Sequence, residues 1–238
     1  MPILGGVEKA MSITTQFKDR LSAGEQLAEK IVMEMTQLRL EGIWAKPIVY
    51  ALPRGGVKVA DPLAKQLNCA LEVIVAKKIS LPQNPELAVG ALTNEGQVLW
   101  GYSQTLKEKN PQQLKVAQHQ AQRKVTNQHH LFSDFDLKID PQGAIAILVD
   151  DGIATGMTMA VAIQTLRIYS PAQIWICAPV APRELTDKLR SWCDRLVILE
   201  MPHPFHSVSR FYEQFEQVPS EEALACLEGH RQYLESSS

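Results

Sequence analysis

Apolar positions recur along this chain with two alternating periods, and the alternation predicts a layered fold. Leu27, Ile31, Met35 and Leu38 repeat at helical spacing. Ser22-Ala23-Gly24-Glu25 fits a capping box, with Ser22 as N-cap and Glu25 at the third helical position. A helix is therefore expected over about 23–40, ended by Gly42. Pro47 then introduces Ile48-Val49-Tyr50-Ala51-Leu52, a short apolar run that reads as a buried strand. It stops at Pro53-Arg54-Gly55-Gly56. Val57, Ala60, Leu63, Ala64 and Leu67 lie on one face of the helix-like stretch that follows. Residues 71–76 read as the next strand, ending at Lys77-Lys78. Pro82, Asn84 and Pro85 make 80–86 read as a mobile loop. Residues 89–92 and 98–102 flank Asn94-Glu95-Gly96 and look like a hairpin. Residues 112–130 are polar but free of breakers, which predicts a helix.

The second half is more regular. Residues 144–149, Ala-Ile-Ala-Ile-Leu-Val, form an uninterrupted apolar strand that runs into Asp150-Asp151-Gly152-Ile153-Ala154-Thr155-Gly156-Met157-Thr158. A helix with Ala160, Ile163, Leu166 and Ile168 follows. Strand 174–178, helix 184–192 and strand 196–199 continue the alternation, and a C-terminal helix is expected around 220–228. Strands alternating with helices imply right-handed crossovers and a mostly parallel sheet. The expected parse is an N-terminal extension over 1–14, one α/β domain over 15–230 and a polar tail over 231–238.

Composition removes several classes. The chain has 238 residues, 45% hydrophobic and 21% charged, so it can bury a core. Lysine plus arginine total 24 against 26 acids, a net charge of −2. That balance argues against a duplex-DNA binder, and no nucleic-acid partner is expected. No apolar run reaches the roughly 20 residues that span a bilayer, and residues 1–8 lack the pattern of a signal peptide. Cys69, Cys177, Cys193 and Cys226 form no C-x-x-C pair, so reduced thiols in a cytoplasmic protein are expected.

Ligands of an open parallel sheet bind at the carboxyl ends of its strands. Three turns stand at such ends: Arg54 with two glycines, Lys77-Lys78, and the segment from Asp150 to Thr158. In the last, Gly152 and Gly156 allow tight backbone geometry, and Thr155 and Thr158 offer hydroxyls. The helix starting near Gly156 points its amides at the loop, which favours an anion. Two carboxylates repel phosphate but suit hydroxyl donors or a cation. A phosphate beside a diol describes ribose 5-phosphate. The loop has neither the lysine of a Walker loop nor a G-x-G-x-x-G fingerprint.

Residues 149–158 resemble the phosphoribosyl-pyrophosphate (PRPP) signature of type I phosphoribosyltransferases. Phe17-x-Asp19-Arg20, Leu52-Pro53-Arg54-Gly55-Gly56-Val57, Lys77-Lys78-Ile79 through Ala91, Ala178-Pro179-Val180-Ala181-Pro182 and Phe211-Tyr212-x-x-Phe215 are similar to one subgroup of that family. The resemblance covers about 15–228. It implies an α/β fold, a parallel sheet flanked by helices with a small hood from the chain ends, the hood including 200–230. It implies that Asp150 and Asp151 receive the ribose hydroxyls. The amides of Gly152, Ile153, Ala154, Thr155, Gly156, Met157 and Thr158, with the two threonine hydroxyls, would hold the 5-phosphate. Arg54-Gly55-Gly56 would form the pyrophosphate loop, which in such enzymes often carries a non-proline cis peptide. Lys77 and Lys78 would open a flexible catalytic loop, and Mg²⁺ would bridge substrate oxygens with no dedicated protein metal site. A homodimer is expected, with the N-terminal helix and Trp44 as contact surfaces.

Three functions follow from different premises: Mg²⁺-dependent transfer of phosphoribose from PRPP to a nitrogen acceptor, a PRPP- or nucleotide-sensing regulator on the same fold, and a phosphoryl-transfer domain built on Asp150-Asp151. The last lacks the expected partner residues at later strand ends. His203-Pro204-Phe205-His206 lacks further metal ligands and falls where the family keeps its acceptor-covering hood. Trp175 and Trp192 read as packing residues.

Overall fold

The all-apolar run before Asp150 is the centre of the sheet. In a computed structural model, which describes residues 16–81, 83–101, 111–137 and 139–237, it forms the middle of five parallel strands. In chain order the elements are α1 (Arg20–Leu40), β1 (Pro47–Ala51), α2 (Gly55–Leu67), β2 (Leu71–Val73), β3 (Ala76–Leu81), β4 (Asn84–Thr93), β5 (Val98–Trp100), α3 (Pro111–Phe132), β6 (Ile145–Val149), α4 (Met157–Ile168), β7 (Gln173–Val180), α5 (Thr186–Arg190), β8 (Arg195–Glu200) and α6 (Ser220–Ser237). The main sheet has the order β2-β1-β6-β7-β8. Tyr50 pairs with Glu72 on one side and Leu148 on the other.

Both faces of this sheet are buried, which is why its strands read as continuous apolar runs. Val49, Ala51, Ile145, Ile147, Val149 and Trp175 pack against α1 and α2. Ile48, Tyr50, Leu52, Ala146, Leu148 and Ile176 pack against α4. Gly24 lets α1 and α2 touch, since a Cβ there would stand 2.5 Å from the Val59 carbonyl. Trp175 is fully buried, as expected.

Several expectations change. Asp19 rather than Ser22 caps α1. The Asp19 side chain accepts from the Ser22 amide, and the Ser22 hydroxyl accepts from the Asp19 amide. The capping box is thus shifted three residues towards the N-terminus. The expected strand 71–76 breaks after Val73, and residues 80–86 are not a free loop. Residues 80, 81 and 84–86 belong to a second, antiparallel sheet, β3-β4-β5, whose β3 carries Lys77 and Lys78. Ile79, Val89 and Leu92 of that sheet join the core that includes α3, while the Thr93 and Thr165 hydroxyls meet at 3.1 Å beside α4. Cross-strand pairing of Ser80 with Ala88 and of Leu81 with Asn84 makes strand of what asparagine marks as loop.

The hairpin around Asn94 forms, although Tyr102 lies outside the described residues. The expected helix 184–192 shortens to a 3₁₀ turn and α5. Helix α6 continues to Ser237, through the residues read as a polar tail. The extension over 1–14 lies outside the described residues. The four cysteines are free thiols. No helix among the described residues is long and apolar enough to cross a membrane.

Candidate active site

The carboxyl ends of β1 and β6 stand side by side in the sheet, and two of the suspected turns touch there. Helix α2 opens directly after β1, so Gly55 and Gly56 lie against the loop that follows β6. A Cβ on Gly55 would stand 1.9 Å from Asp151 Oδ2, and one on Gly56 would stand 2.9 Å from the Val149 carbonyl. Both positions are glycine because an acidic loop occupies the side-chain space. The Pro53–Arg54 peptide is cis. Arg54 donates to the Ser220 hydroxyl at 3.3 Å, which ties this turn to the start of α6.

Asp150 is partly buried, and its carboxyl is pushed well above the usual range, first by burial and then by the Asp151 charge; Lys78 pulls the other way. Its Oδ1 accepts from the Asp151 amide at 2.9 Å. Lys77 is pushed down by burial and by Arg54, and pulled up by Asp150. Arg54, Lys77, Lys78, Asp150 and Asp151 therefore share one electrostatic neighbourhood. The lysines reach it from a strand rather than a loop, because β3 rises beside the carboxyl end of β2.

Gly156 enters α4 with φ +71°, and no side chain caps that helix. Its first amides are unmet by protein, and unmet amides at a helix start attract an anion. Among the described residues, the amides of Ala154, Thr155, Gly156, Met157 and Thr158 meet no backbone acceptor. Ile153 departs from expectation, because its amide donates to the Val180 carbonyl at 2.9 Å and its side chain is buried. It secures the loop and does not belong to the cradle. Met157 is buried beside Gly101 and offers only its amide, while Thr155 is exposed and Thr158 half-buried. Gly152 receives Val208 of the hood, where a Cβ would stand 2.3 Å from its side chain.

The hood brings residues whose roles the sequence did not expose. Arg20 Nε donates to Asp151 Oδ2 at 2.7 Å, and its Nη1 donates to the Glu216 carbonyl at 2.9 Å. Its guanidinium lies 3.8 Å from the Phe215 ring centroid. Tyr212 donates its hydroxyl to the Asp151 carbonyl at 2.6 Å. Burial, then the Asp151 charge, holds that phenol far above its ordinary value. Phe17 and Tyr212 form a parallel bridge that joins the two ends of the domain. An arginine at the first position of a helix opposes the dipole, and that was the available signal for a partner elsewhere. Phe205 stacks on Phe211 at 6.2 Å, and His203 pairs with Glu184 at 3.4 Å.

The described residues contain no group of three histidine, cysteine, aspartate or glutamate side chains placed to hold a metal alone. A carboxylate pair with one member pushed well up is stabilised by an added cation. The pair thus fits a magnesium ion whose other ligands are substrate oxygens and water.

Comparison with known proteins agrees with this geometry. The family profile described as "Phosphoribosyl transferase domain" matches residues 19–215. A curated protein of Mycobacterium tuberculosis (strain H37Rv), named "Putative phosphoribosyl transferase Rv0571c", is 32% identical over 232 residues. That match covers 93% of this chain and 49% of the relative. The counterpart in strain CDC 1551, "Putative phosphoribosyl transferase MT0597", matches equally. This chain thus spans about half the length of those relatives. The crystal structure of the Thermus thermophilus protein TT1426 is 31% identical. It aligns over 89% of this chain and 97% of that one, with a TM-score of 0.71.

Proposed function

The chain belongs to the phosphoribosyl transferase domain family, and on that premise we propose that it transfers phosphoribose from PRPP to a nitrogen acceptor, with Mg²⁺ and release of pyrophosphate. The observation that carries this reading is that one loop joins the acidic pair to the uncapped start of α4, within electrostatic reach of Arg54 and two lysines.

Each group then has a task. The amides from Ala154 to Thr158, with the Thr155 and Thr158 hydroxyls, hold the 5-phosphate. Asp150 and Asp151 accept hydrogen bonds from the ribose 2- and 3-hydroxyls. Arg20 fixes Asp151 Oδ2, so Oδ1 is the oxygen presented to substrate. The Arg54-Gly55-Gly56 turn is the pyrophosphate loop of this reading, and Gly152 belongs with the 5-phosphate loop, where its missing Cβ makes room for Val208. Bond breaking at C1 leaves positive charge on the ribose ring and negative charge on the leaving pyrophosphate. Arg54, Lys77 and Lys78 stabilise the latter, and the acidic pair faces the former. The acceptor nitrogen bonds to C1 as the C1–pyrophosphate bond breaks, and a carboxylate of the acidic pair takes the proton the nitrogen sheds. Mg²⁺, held mainly through pyrophosphate and ribose oxygens beside the acidic pair, would supply further charge neutralisation there.

The same reading takes the protein as a cytoplasmic homodimer in which α1 and Trp44 form the contact, with neither membrane nor nucleic acid as partner. The acceptor is tested by incubating the protein with PRPP, Mg²⁺ and a panel of purines, pyrimidines, nicotinate and small amines, then seeking a phosphoribosylated product by mass spectrometry. Calorimetry with PRPP and Mg²⁺ tests the site itself. Replacing both Asp150 and Asp151 by Asn should weaken binding by about 1–3 kcal/mol with the fold intact. Unchanged affinity would make the loop a structural turn. Tight PRPP binding without any product would favour a sensing role.

A further inference from the structure

A second cavity of about 500 Å³ lies away from this cleft, on the sheet face covered by α4 and against the edge strand β2. It sits by Thr165, Leu166 and Tyr169 at the carboxyl end of α4, whereas the acidic loop meets that helix at its start. Strands β1 and β2 supply Tyr50 and Glu72, and the β4–β5 turn supplies Glu95. The segments flanking the 3₁₀ turn after α3 supply Phe132, Asp136 and Asp140. Four carboxylates line it, and no lysine or arginine does among the described residues.

Glu72 is the most buried of the four, with the Leu137 and Ile139 backbone and the Asp136 side chain beside its carboxyl. It is 6% exposed, and its Oε1 is buried without a hydrogen-bond partner. A buried carboxylate oxygen left unmet is costly, and a native fold keeps one where a ligand, ion or proton meets it. Tyr50, Phe132, Phe135 and Tyr169 form the walls around it. Aromatic faces attract cations, and the carboxylates give the same sign of preference. The volume exceeds that of a bare metal ion, and among the described residues no three of the carboxylates and His129 stand together to hold one.

We propose that this cavity is a binding site for a small organic cation, an amine or amidine head on a planar or apolar body, with Glu72 as its buried counter-charge. The site is independent of the PRPP reading and shares no residue with that cleft. The Tyr169 hydroxyl donates to Glu95 Oε2 at 2.7 Å and holds that carboxylate at the cavity's side. Burial, and then Asp136, pushes the Glu72 carboxyl up to about 7. The groups facing Glu72 are Tyr50 from β1, Glu95 from the β4–β5 turn, His129 from α3, Asp136 and Asp140 from the connection to β6, and Tyr169 after α4. A cation entering at about pH 6 must therefore displace a proton, whereas at about pH 8 it meets a carboxylate.

The test uses benzamidine, its neutral isostere benzamide and its anionic counterpart benzoate, titrated calorimetrically into the whole protein. Benzamidine should bind at least about tenfold more tightly than benzamide, and benzoate should not bind. Affinity for benzamidine should rise from about pH 6 to about pH 8, and Glu72→Gln should flatten that rise. Glu72→Gln should cost about tenfold, and Glu95→Gln, at the solvent-facing turn, about threefold; the second variant carries the test if the first fails to fold. PRPP affinity should be unchanged under saturating benzamidine. Equal binding of benzamidine and benzamide overturns the proposal, as does full affinity in the Gln variants or competition with PRPP.

Discussion

Gly55 admits no side chain. Its missing Cβ would overlap Asp151 Oδ2, which Arg20 already holds. Gly55→Ala should therefore separate the Arg20–Asp151 pair, lower stability by about 1–3 kcal/mol in denaturant titrations, and remove measurable PRPP binding. Asp150 should behave in the opposite sense for stability. Its folded carboxyl is raised above the unfolded value, so stability falls as pH rises from about 4 through the folded value. Asp150→Asn should thus be the more stable protein at pH 8, by about 1 kcal/mol, and lose that advantage near pH 4 in melting experiments. PRPP affinity should still fall. At this scale the glycines, aspartates and threonines stood out because they follow one apolar strand in unbroken sequence. Arg20 and Tyr212 were not, because their target lies 131 and 61 positions away and only the closed fold brings them to Asp151. Ile153 was assigned to the cradle by position in the motif, and the pairing of its amide with β7 removes it.

Helices and strands of the main sheet were readable wherever one periodicity ran unbroken. The five parallel strands and the long helices stand where apolar spacing places them, whereas ends set by side-chain bonds moved. Ser22 and Asp19 are both good caps, and the choice depended on how Phe17 is anchored to Tyr212. Asp19→Ala should therefore cost about 1 kcal/mol in thermal unfolding, and Glu25→Ala much less. The β3–β4 hairpin was misread because its strand character comes from the pairing of β3 with β4 rather than from the propensities of its own residues. Helix α6 was read too short because its outer half is polar. It is held by His230, whose Nε2 lies 2.9 Å from the Cys69 carbonyl and whose Nδ1 is 3.4 Å from Asp61. Burial raises the Asp61 carboxyl, but bonds to His230 and Lys65 outweigh it and leave it below its ordinary value. That stabilisation is present above about pH 4 and is lost as pH falls through the folded value. Asp61→Asn should accordingly lower the melting temperature at pH 7 and narrow the gap to wild type on acidification.

For the whole molecule, the sharpest expectation concerns assembly. Met33, Leu40 and Trp44 are strongly exposed, Trp44 at 77%, and they belong to α1 and the turn after it. Isolated exposed apolar residues are ordinary, but these share one end of one element. Light scattering at micromolar concentration should return about twice 26.5 kDa, and Trp44→Glu should return the single mass without changing the circular dichroism spectrum. A strict monomer in the wild type would remove the proposed contact. The order of the layers followed from alternation of strands and helices. The division into two sheets did not, because nothing local to Ile74 or Val75 announces that the chain leaves one sheet for another.

The hydrogen bond from Tyr212 to Asp151 also sets a clock. During synthesis the acidic loop emerges 61 residues before the tyrosine that braces it. At about 5–20 residues per second, the interval is roughly 3–12 s. Through that interval the sheet can assemble behind β6, while Gly152 lacks its cover and Asp151 its backbone clasp. A nascent chain is therefore a folded core before it is a binding protein, and competence for ligand arrives with the hood.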